Sequence, residues 1–338
     1  MNENILNEIA TNMVKDSKGI LAMDESFPTI KKRFKSLNIE DSENNRRDYR
    51  TMLVKAGDLN KYISGAILFD ETIKQKTSDG INFPEYLNKI GIIPGIKVDG
   101  GAKPFSCHPE EKITEGLDNL NDRMIEYKKL GAKFAKWRGV LVIKDNLPSN
   151  ACLKANAHAL ARYASICQEN DIVPIVEPEV LMDGNHSADE CFRKTSTVIK
   201  KCFEDLILHK VDLSGVILKP NMILAGTESK NQISNEETAK LTIKCLKESV
   251  PNEIPGITFL SGGQSEVQAT ENLNLINKFN DTDFIMSYSY GRALQQSALK
   301  HWSKDINDIK GTQKVFDHRA KMCTLAAQGK WSIDLENN

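Results

Sequence analysis

Eight short apolar runs recur along this chain, and each one stops on a polar residue. They are residues 19–23 before Asp24, 65–69 before Asp70, 92–96 before Lys97, and 134–135 before Lys136. Then come 172–176 before Glu177, 215–218 before Lys219, 257–260 before Ser261, and 284–286 before Ser287. Mostly unbroken apolar runs of this length suit parallel strands buried on both faces. Helical stretches lie between them. Leu117, Leu120, Met124 and Tyr127 form one stripe, segments 153–167 and 236–248 are helical in pattern, and Ser265-Glu266 and Arg292 open two more. Strand and helix alternate throughout, so the expected class is α/β, and eight units predict a closed (β/α)8 TIM barrel. A doubly wound open sheet is the alternative, but no GxGxxG or GxxxxGK(S/T) follows any run. There is no linker, repeat or low-complexity tract. Residues 1–338 therefore read as a single domain with extra terminal helices, 304–328 being one further helix and 329–338 a loose tail.

Composition narrows the function. Lys and Arg number 45 against 46 Asp and Glu, which gives no basic surplus to attract nucleic acid or anionic lipid. With 40% hydrophobic residues and a net charge of −1 the chain is not of the disordered class. No apolar run approaches membrane-spanning length, and residues 1–19 carry no apolar targeting core. The seven cysteines include no CxxC pair, which fits a reducing, cytoplasmic setting. Asn185-His186-Ser187 matches a glycosylation sequon, read as chance in the absence of a secretion signal. The six histidines are scattered without HExxH, so no metal site and no cofactor are expected.

In a barrel, catalytic groups sit at the C-terminal ends of the strands. The polar strand ends here are Asp24, Lys97, Asp99, Lys136, Arg138, Glu177, Glu179, Lys219, Ser261 and Arg292. Strand side chains alternate with period two, so Lys97 shares a face with Asp99, Lys136 with Arg138, and Glu177 with Glu179. If those faces point inward, one mouth gathers three lysines, two arginines and several carboxylates. For any single residue a structural ion-pair network is an equal reading. For the set, a functional site is the better one. A lysine attacks a carbonyl only as the neutral amine, which desolvation or a neighbouring cation favours. Schiff-base chemistry is thus plausible, although spacing ranks Lys219 no higher than Lys136 or Lys97.

Phosphate signals are more specific. Ser261-Gly262-Gly263 follows the seventh run and opens a helix, and Ser289-Tyr290-Gly291-Arg292 follows the eighth and opens another. Glycines let backbone N–H groups turn toward an anion at a helix N-terminus, and barrels often hold phosphate after strands seven and eight. A further cluster, Lys31-Lys32-Arg33-Phe34-Lys35, reads alone as a solvated helix face. Beside the other two loops, it is also a candidate for a second phosphate across the mouth.

Seven ordered motifs carry a family resemblance. They are Leu21-Ala22-Met23-Asp24-Glu25-Ser26, Gly95-Ile96-Lys97-Val98-Asp99, Phe134-Ala135-Lys136-Trp137-Arg138 and Val176-Glu177-Pro178-Glu179. After them come Leu218-Lys219-Pro220-Asn221-Met222, Phe259-Leu260-Ser261-Gly262-Gly263-Gln264-Ser265 and Ser289-Tyr290-Gly291-Arg292-Ala293-Leu294. Together, over residues 5–330, the chain resembles class I fructose-1,6-bisphosphate aldolase. The resemblance implies a metal-free barrel, a homotetramer, and a place in glycolysis and gluconeogenesis. It implies that Lys219 forms the Schiff base and Glu177 shuttles protons. By the same resemblance Lys136 assists and helps keep Lys219 neutral, Asp24 takes the C4 hydroxyl proton, and Glu179 tunes the network. It also implies a C1-phosphate site at Ser261, Gly262, Gly263, Ser289, Gly291 and Arg292, and a C6-phosphate region at Lys97, Ser26, Thr29, Lys32 and Arg33. Arg138 and Arg46 match residues at or near the site.

There are departures from the family pattern. Phe27-Pro28 stands where the family usually has smaller residues, which stiffens the loop beside the expected C6-phosphate region, and Gly100 replaces a common Lys. Rival readings are the same chemistry on sedoheptulose 1,7-bisphosphate or fructose 1-phosphate, transaldolase, whose motifs are not those found here, and a non-catalytic scaffold or adaptor. Many family members end in a tail whose final Tyr helps proton exchange at C3 of the bound triose, and here no Tyr follows Tyr290. The expected outcome is that enamine protonation limits turnover. Slow solvent-proton exchange into bound dihydroxyacetone phosphate is the measurement that supports this, and fast exchange contradicts it.

Overall fold

Side chains along a strand alternate between two faces, and in this chain the two faces carry different chemistry. The computed structural model describes residues 3–337. Eight parallel strands close into a barrel: β1 (Gly19–Ala22), β2 (Ile63–Leu68), β3 (Ile93–Lys97), β4 (Phe134–Leu141), β5 (Val173–Val180), β6 (Ile217–Leu218), β7 (Gly256–Phe259) and β8 (Met286–Tyr290). Each pairs with the next, and β8 closes on β1 through Ile20 opposite Ser289. The outward residues, among them Leu21, Ala66, Ile96, Ala135, Trp137, Val176, Leu218, Ile257 and Phe259, join the surrounding helices in one core. The inward residues Ile20, Ala22, Ile67, Phe134, Val173, Ile175 and Ile217 form a second, separate cluster with Leu6, Ala10, Met13 and Val14 of the helix Glu3–Val14. That helix plugs the N-terminal end of the barrel. Two residues above Ala22, Phe134, Ile175 and Ile217 stand Asp24, Lys136, Glu177 and Lys219, and two above Gly95 of β3 stands Lys97. The barrel interior is therefore apolar at the bottom and charged at the top.

Close packing inside the barrel depends on glycine. A Cβ on Gly95 would lie 2.2 Å from the Phe134 ring, and one on Gly256 would lie 2.6 Å from Val14. The large ring and the plugging helix occupy the space that these two positions leave.

Several expectations are corrected. The fourth and fifth strands run past their apolar segments to Leu141 and Val180, so Lys136, Arg138, Glu177 and Glu179 lie within strands rather than after them. Their charges face the mouth and pair across it, so the backbone ladder continues. The eighth strand begins at Met286, and Ser289 is part of it rather than of the loop that follows. Ser287 and Ser289 alternate with Tyr288 and Tyr290, so the strand is marked by period two and not by a continuous apolar run. A small antiparallel hairpin, Ala102–Pro104 with Lys112–Thr114, lies between β3 and β4 and had no counterpart in the sequence reading. The further terminal helix spans Ile309–Ala327. The loose tail does not hold for residues 329–337. Trp331 is buried, its backbone N–H donates to Asn274 Oδ1 at 3.0 Å, and its indole N–H donates to Glu336. Arg319 donates to both oxygens of Glu336, at 2.5 and 2.9 Å. Asn338 lies outside the described residues.

Gly95→Ala is expected to lower stability by about 1–3 kcal/mol, the usual range for overpacking a filled core. Phe134→Leu in the same chain should recover part of that loss. Denaturant midpoints of the two variants check this pair.

Candidate active site

The mouth is built by the strand ends. Asp24 lies two residues beyond β1, Lys97 ends β3, Lys136 and Arg138 sit in β4, Glu177 and Glu179 sit in β5, and Lys219 directly follows β6. Four cations thus meet four carboxylates, the fourth being Asp99, two residues past Lys97. Charges buried this deeply are tolerated only when paired. Lys136 Nζ is 2.7 Å from Asp24 Oδ2, 3.5 Å from Glu177 Oε2 and 4.0 Å from Asp99 Oδ2. Lys219 Nζ lies 3.2 Å from the other Glu177 oxygen, Oε1. Lys97 donates to Asp99 Oδ1 at 2.6 Å and to its carbonyl at 2.8 Å. Arg138 donates through Nε to Glu179.

These contacts set the protonation states. Burial pushes the Asp24 carboxyl up, but Lys136, Lys219 and Lys97 overcome this and bring it down to about 2. Burial likewise pushes the Lys136 ammonium down, and Asp24, Glu177 and Asp99 more than reverse it, holding Lys136 above the ordinary lysine range. Glu179 is raised, chiefly by burial, with Arg138 opposing. Glu177 Oε2 makes no hydrogen bond, although its partner oxygen faces Lys219. This buried oxygen lies 3.5 Å from Lys136, so the carboxylate stands between two lysines.

Beyond the lysines, the two glycine loops come together. Gly262 has φ +55°, Ser265 caps the helix Glu266–Phe279, and Arg292 Nη2 donates to the Gly262 carbonyl at 2.7 Å. Ser261 is buried, Gly263 is exposed, and Ser289 faces inward from β8 with its hydroxyl unpartnered. Arg33 ion-pairs with Glu25 at 2.5 Å and stands against Gly291, so it bridges toward the Arg292 loop. Ser26 and Thr29 pair through their hydroxyls at 3.2 Å at the start of the helix Phe27–Lys35, and Lys32 is exposed farther along it. Phe27 packs edge-on against Phe69, under the Arg46 guanidinium. Arg46 itself is held by Glu71 and Asp41 at 2.6 and 2.7 Å. It joins the mouth only indirectly, through Glu71, the buried Arg50 and the Glu25 backbone carbonyl.

Two contributors, Glu25 and Met182, were missed in the sequence, and a third, Asp99, was placed at the mouth without a role. Asp99 was visible as the residue sharing a face with Lys97, but its second partner, Lys136, required the neighbouring strand. Glu25 precedes the expected Ser26 and gave no signal of its own. Met182 lies two residues past β5, and its sulfur contacts the Gly263 N–H at 2.8 Å.

With this geometry in place, the comparisons are decisive. The model of the family described as fructose-bisphosphate aldolase class-I matches residues 5–338. The chain belongs to that family. A probable class 1 fructose-bisphosphate aldolase of Xylella fastidiosa (strain Temecula1) is 52% identical over 328 residues, covering 96% of this chain and 98% of its own. The Dictyostelium discoideum fructose-bisphosphate aldolase is 44% identical over 338 residues, covering 98% and 95%. Among solved structures, the Plasmodium falciparum fructose-bisphosphate aldolase in complex with TRAP and a small molecule inhibitor superposes with a TM-score of 0.96 at 45% identity, covering 98% of this chain and 96% of that one. The aldolase fold is thus shared in full. Among the described residues, no group of three or more His, Cys, Asp or Glu could hold a metal, and no helix is long and apolar enough to cross a membrane.

Asp24 titrates lower in the folded protein than its ordinary 3.8, so the unfolded chain binds the extra proton between these values. Its contribution to stability is present above pH 3.8 and is lost as pH falls toward 2. Unfolding free energies of wild type and Asp24→Asn should therefore converge over that window. A constant difference would show that the carboxylate is not held by the lysines.

Proposed function

We propose that this protein cleaves fructose 1,6-bisphosphate reversibly into dihydroxyacetone phosphate and glyceraldehyde 3-phosphate through a Schiff base on Lys219. One observation carries the reading. Glu177 touches Lys219 with one oxygen while its other oxygen makes no hydrogen bond, and Lys136 joins that same carboxylate to Asp24.

The Lys219 amine attacks the C2 ketone, and the resulting carbinolamine loses its hydroxyl as water, with Glu177 delivering the proton. Lys136 stays an ammonium throughout and holds Glu177 and Asp24 in register. Asp24, an anion at any working pH, accepts the C4 hydroxyl proton as the C3–C4 bond breaks. The bonding pair moves into the iminium and leaves an enamine, so the protein supplies the electron sink covalently. Glyceraldehyde 3-phosphate departs, C3 is protonated, and hydrolysis frees Lys219 and dihydroxyacetone phosphate. No metal is required for any of these steps.

The phosphates are assigned to the two sides of the mouth. Ser261, Gly262, Gly263, Ser289, Gly291 and Arg292 would hold the C1 phosphate, with backbone N–H groups and a helix N-terminus favouring its charge. Lys97, Ser26, Thr29, Lys32, Arg33 and Arg138 would face the other end. The same reading places the protein in the cytosol as a homotetramer, working in glycolysis and gluconeogenesis as a single aldolase domain. A cytosolic aldolase of Arabidopsis thaliana, 47% identical over 320 residues, is in line with the setting.

Borohydride reduction in the presence of dihydroxyacetone phosphate and EDTA tests the assignment. The expected product is a reduced triose-phosphate adduct mapped to Lys219, absent from Lys219→Met. An adduct on Lys136 or Lys97 would keep the chemistry and overturn the site. No adduct on folded protein would remove the Schiff base altogether.

A further inference from the structure

The loop assigned to the C1 phosphate already has an occupant. Met182 Sδ lies 2.8 Å from the Gly263 N–H, and a Cβ placed on Gly262 would meet the same sulfur at 3.3 Å. The thioether therefore sits in the concave face of the Gly262-Gly263 turn. Arg292, the cation beside it, is likewise turned onto the loop and donates to the Gly262 carbonyl. The Gly263 N–H and one N–H of Arg292 are thus engaged within the protein.

Only the side chain of Met182 is free to leave. Its carbonyl accepts from the Thr227 N–H at 2.8 Å, and the preceding Leu181 N–H donates to the Leu141 carbonyl at 2.9 Å. The side chain itself is unbranched with three rotatable bonds. The small cavity beside it is lined by Val180, Met222, Leu224 and Leu260 and by the polar Glu179 and Asn221. Met182 is half-buried, so a displaced thioether can swing toward solvent.

We propose that Met182 is a built-in competitor for the phosphate subsite, and that it sets how strongly an anion must bind before the subsite opens. A thioether is a weak, uncharged acceptor. A phosphate oxygen makes charge-assisted hydrogen bonds about twice as strong as neutral ones. Phosphate therefore displaces the sulfur and recruits Arg292, whereas a neutral hydroxyl gains little over it. Met182 in this way acts as a specificity-determining residue, favouring phosphorylated over unphosphorylated ketoses. The inference rests on the assignment of phosphate to the Ser261-Gly262-Gly263 loop, so the test must separate the two.

Inorganic phosphate and dihydroxyacetone phosphate are titrated against wild type, Met182→Ala, Met182→Leu and Ser261→Ala, with the methionine methyl groups labelled for NMR. Met182→Ala should bind phosphate about three- to tenfold more tightly, the factor of one ordinary hydrogen bond no longer displaced. Met182→Leu, which keeps the bulk but lacks the sulfur, should fall between it and wild type. Ser261→Ala should weaken binding, and the Met182 methyl resonance of wild type should move on saturation with phosphate. A gain in affinity is not what a damaged fold produces. The proposal is overturned if Ser261→Ala weakens phosphate while Met182→Ala binds as wild type does and the methyl resonance stays in place. If Ser261→Ala leaves phosphate binding unchanged, the loop is not the anion site, and the proposal falls with that assignment.

Discussion

The mouth of the barrel is organised around the ammonium of Lys136. It lies within 4.0 Å of carboxylates from three places, Asp24 beyond β1, Asp99 beyond β3 and Glu177 in β5. One cation among three anions makes the cluster self-supporting. The Asp24 carboxylate is kept charged despite burial, and Lys136 is kept charged in return. Lys219 then meets a Glu177 that is already half engaged, with one oxygen free of hydrogen bonds. Removing Lys136 would take from Asp24 its partner at 2.7 Å and leave Glu177 with Lys219 and Asp99 with Lys97. Under the proposed function, one set of contacts would serve both as ion-pair network and as catalytic site.

The lower half of the barrel makes this arrangement possible. Phe134, Ile175 and Ile217 fill the interior directly beneath Lys136, Glu177 and Lys219, and the helix Glu3–Val14 closes the bottom. Glycines at positions 95 and 256 let the ring and the helix approach the strand backbones closely. The charged layer rests on a packed floor, and its geometry follows from strands that are fixed on both faces.

Legibility in the sequence tracked how local the signal was. The apolar runs identified seven of the eight strands, and the period of two placed Lys136 with Arg138 and Glu177 with Glu179. The local signal failed for β8, where serines alternate with tyrosines and the apolar stretch at 284–286 shares only Met286 with the strand. It also failed for residues 329–337, where Trp331 and Glu336 are held by Asn274 and Arg319, distant partners that leave no mark near the tail. Arg46 looked like one more cation for the mouth, yet Glu71 and Asp41 hold it outside the lysine cluster. Met182 gave no signal at all, since a methionine after a strand is an ordinary core residue until a second loop is folded against it.

The sequence by itself determined the alternation of strand and helix, the barrel that eight such units close, and the inventory of lysines and carboxylates at the strand ends. These depend on periodicity and residue type, which are properties of a few neighbouring positions. The tertiary structure alone decided which carboxylate faces which lysine, that Arg33 reaches the Gly291 loop, and that a sulfur fills the turn assigned to phosphate. Those outcomes depend on barrel closure, which sets the stagger between neighbouring strands. A charge's partner is then chosen by distances of a few ångströms across strands that lie tens of residues apart in the chain.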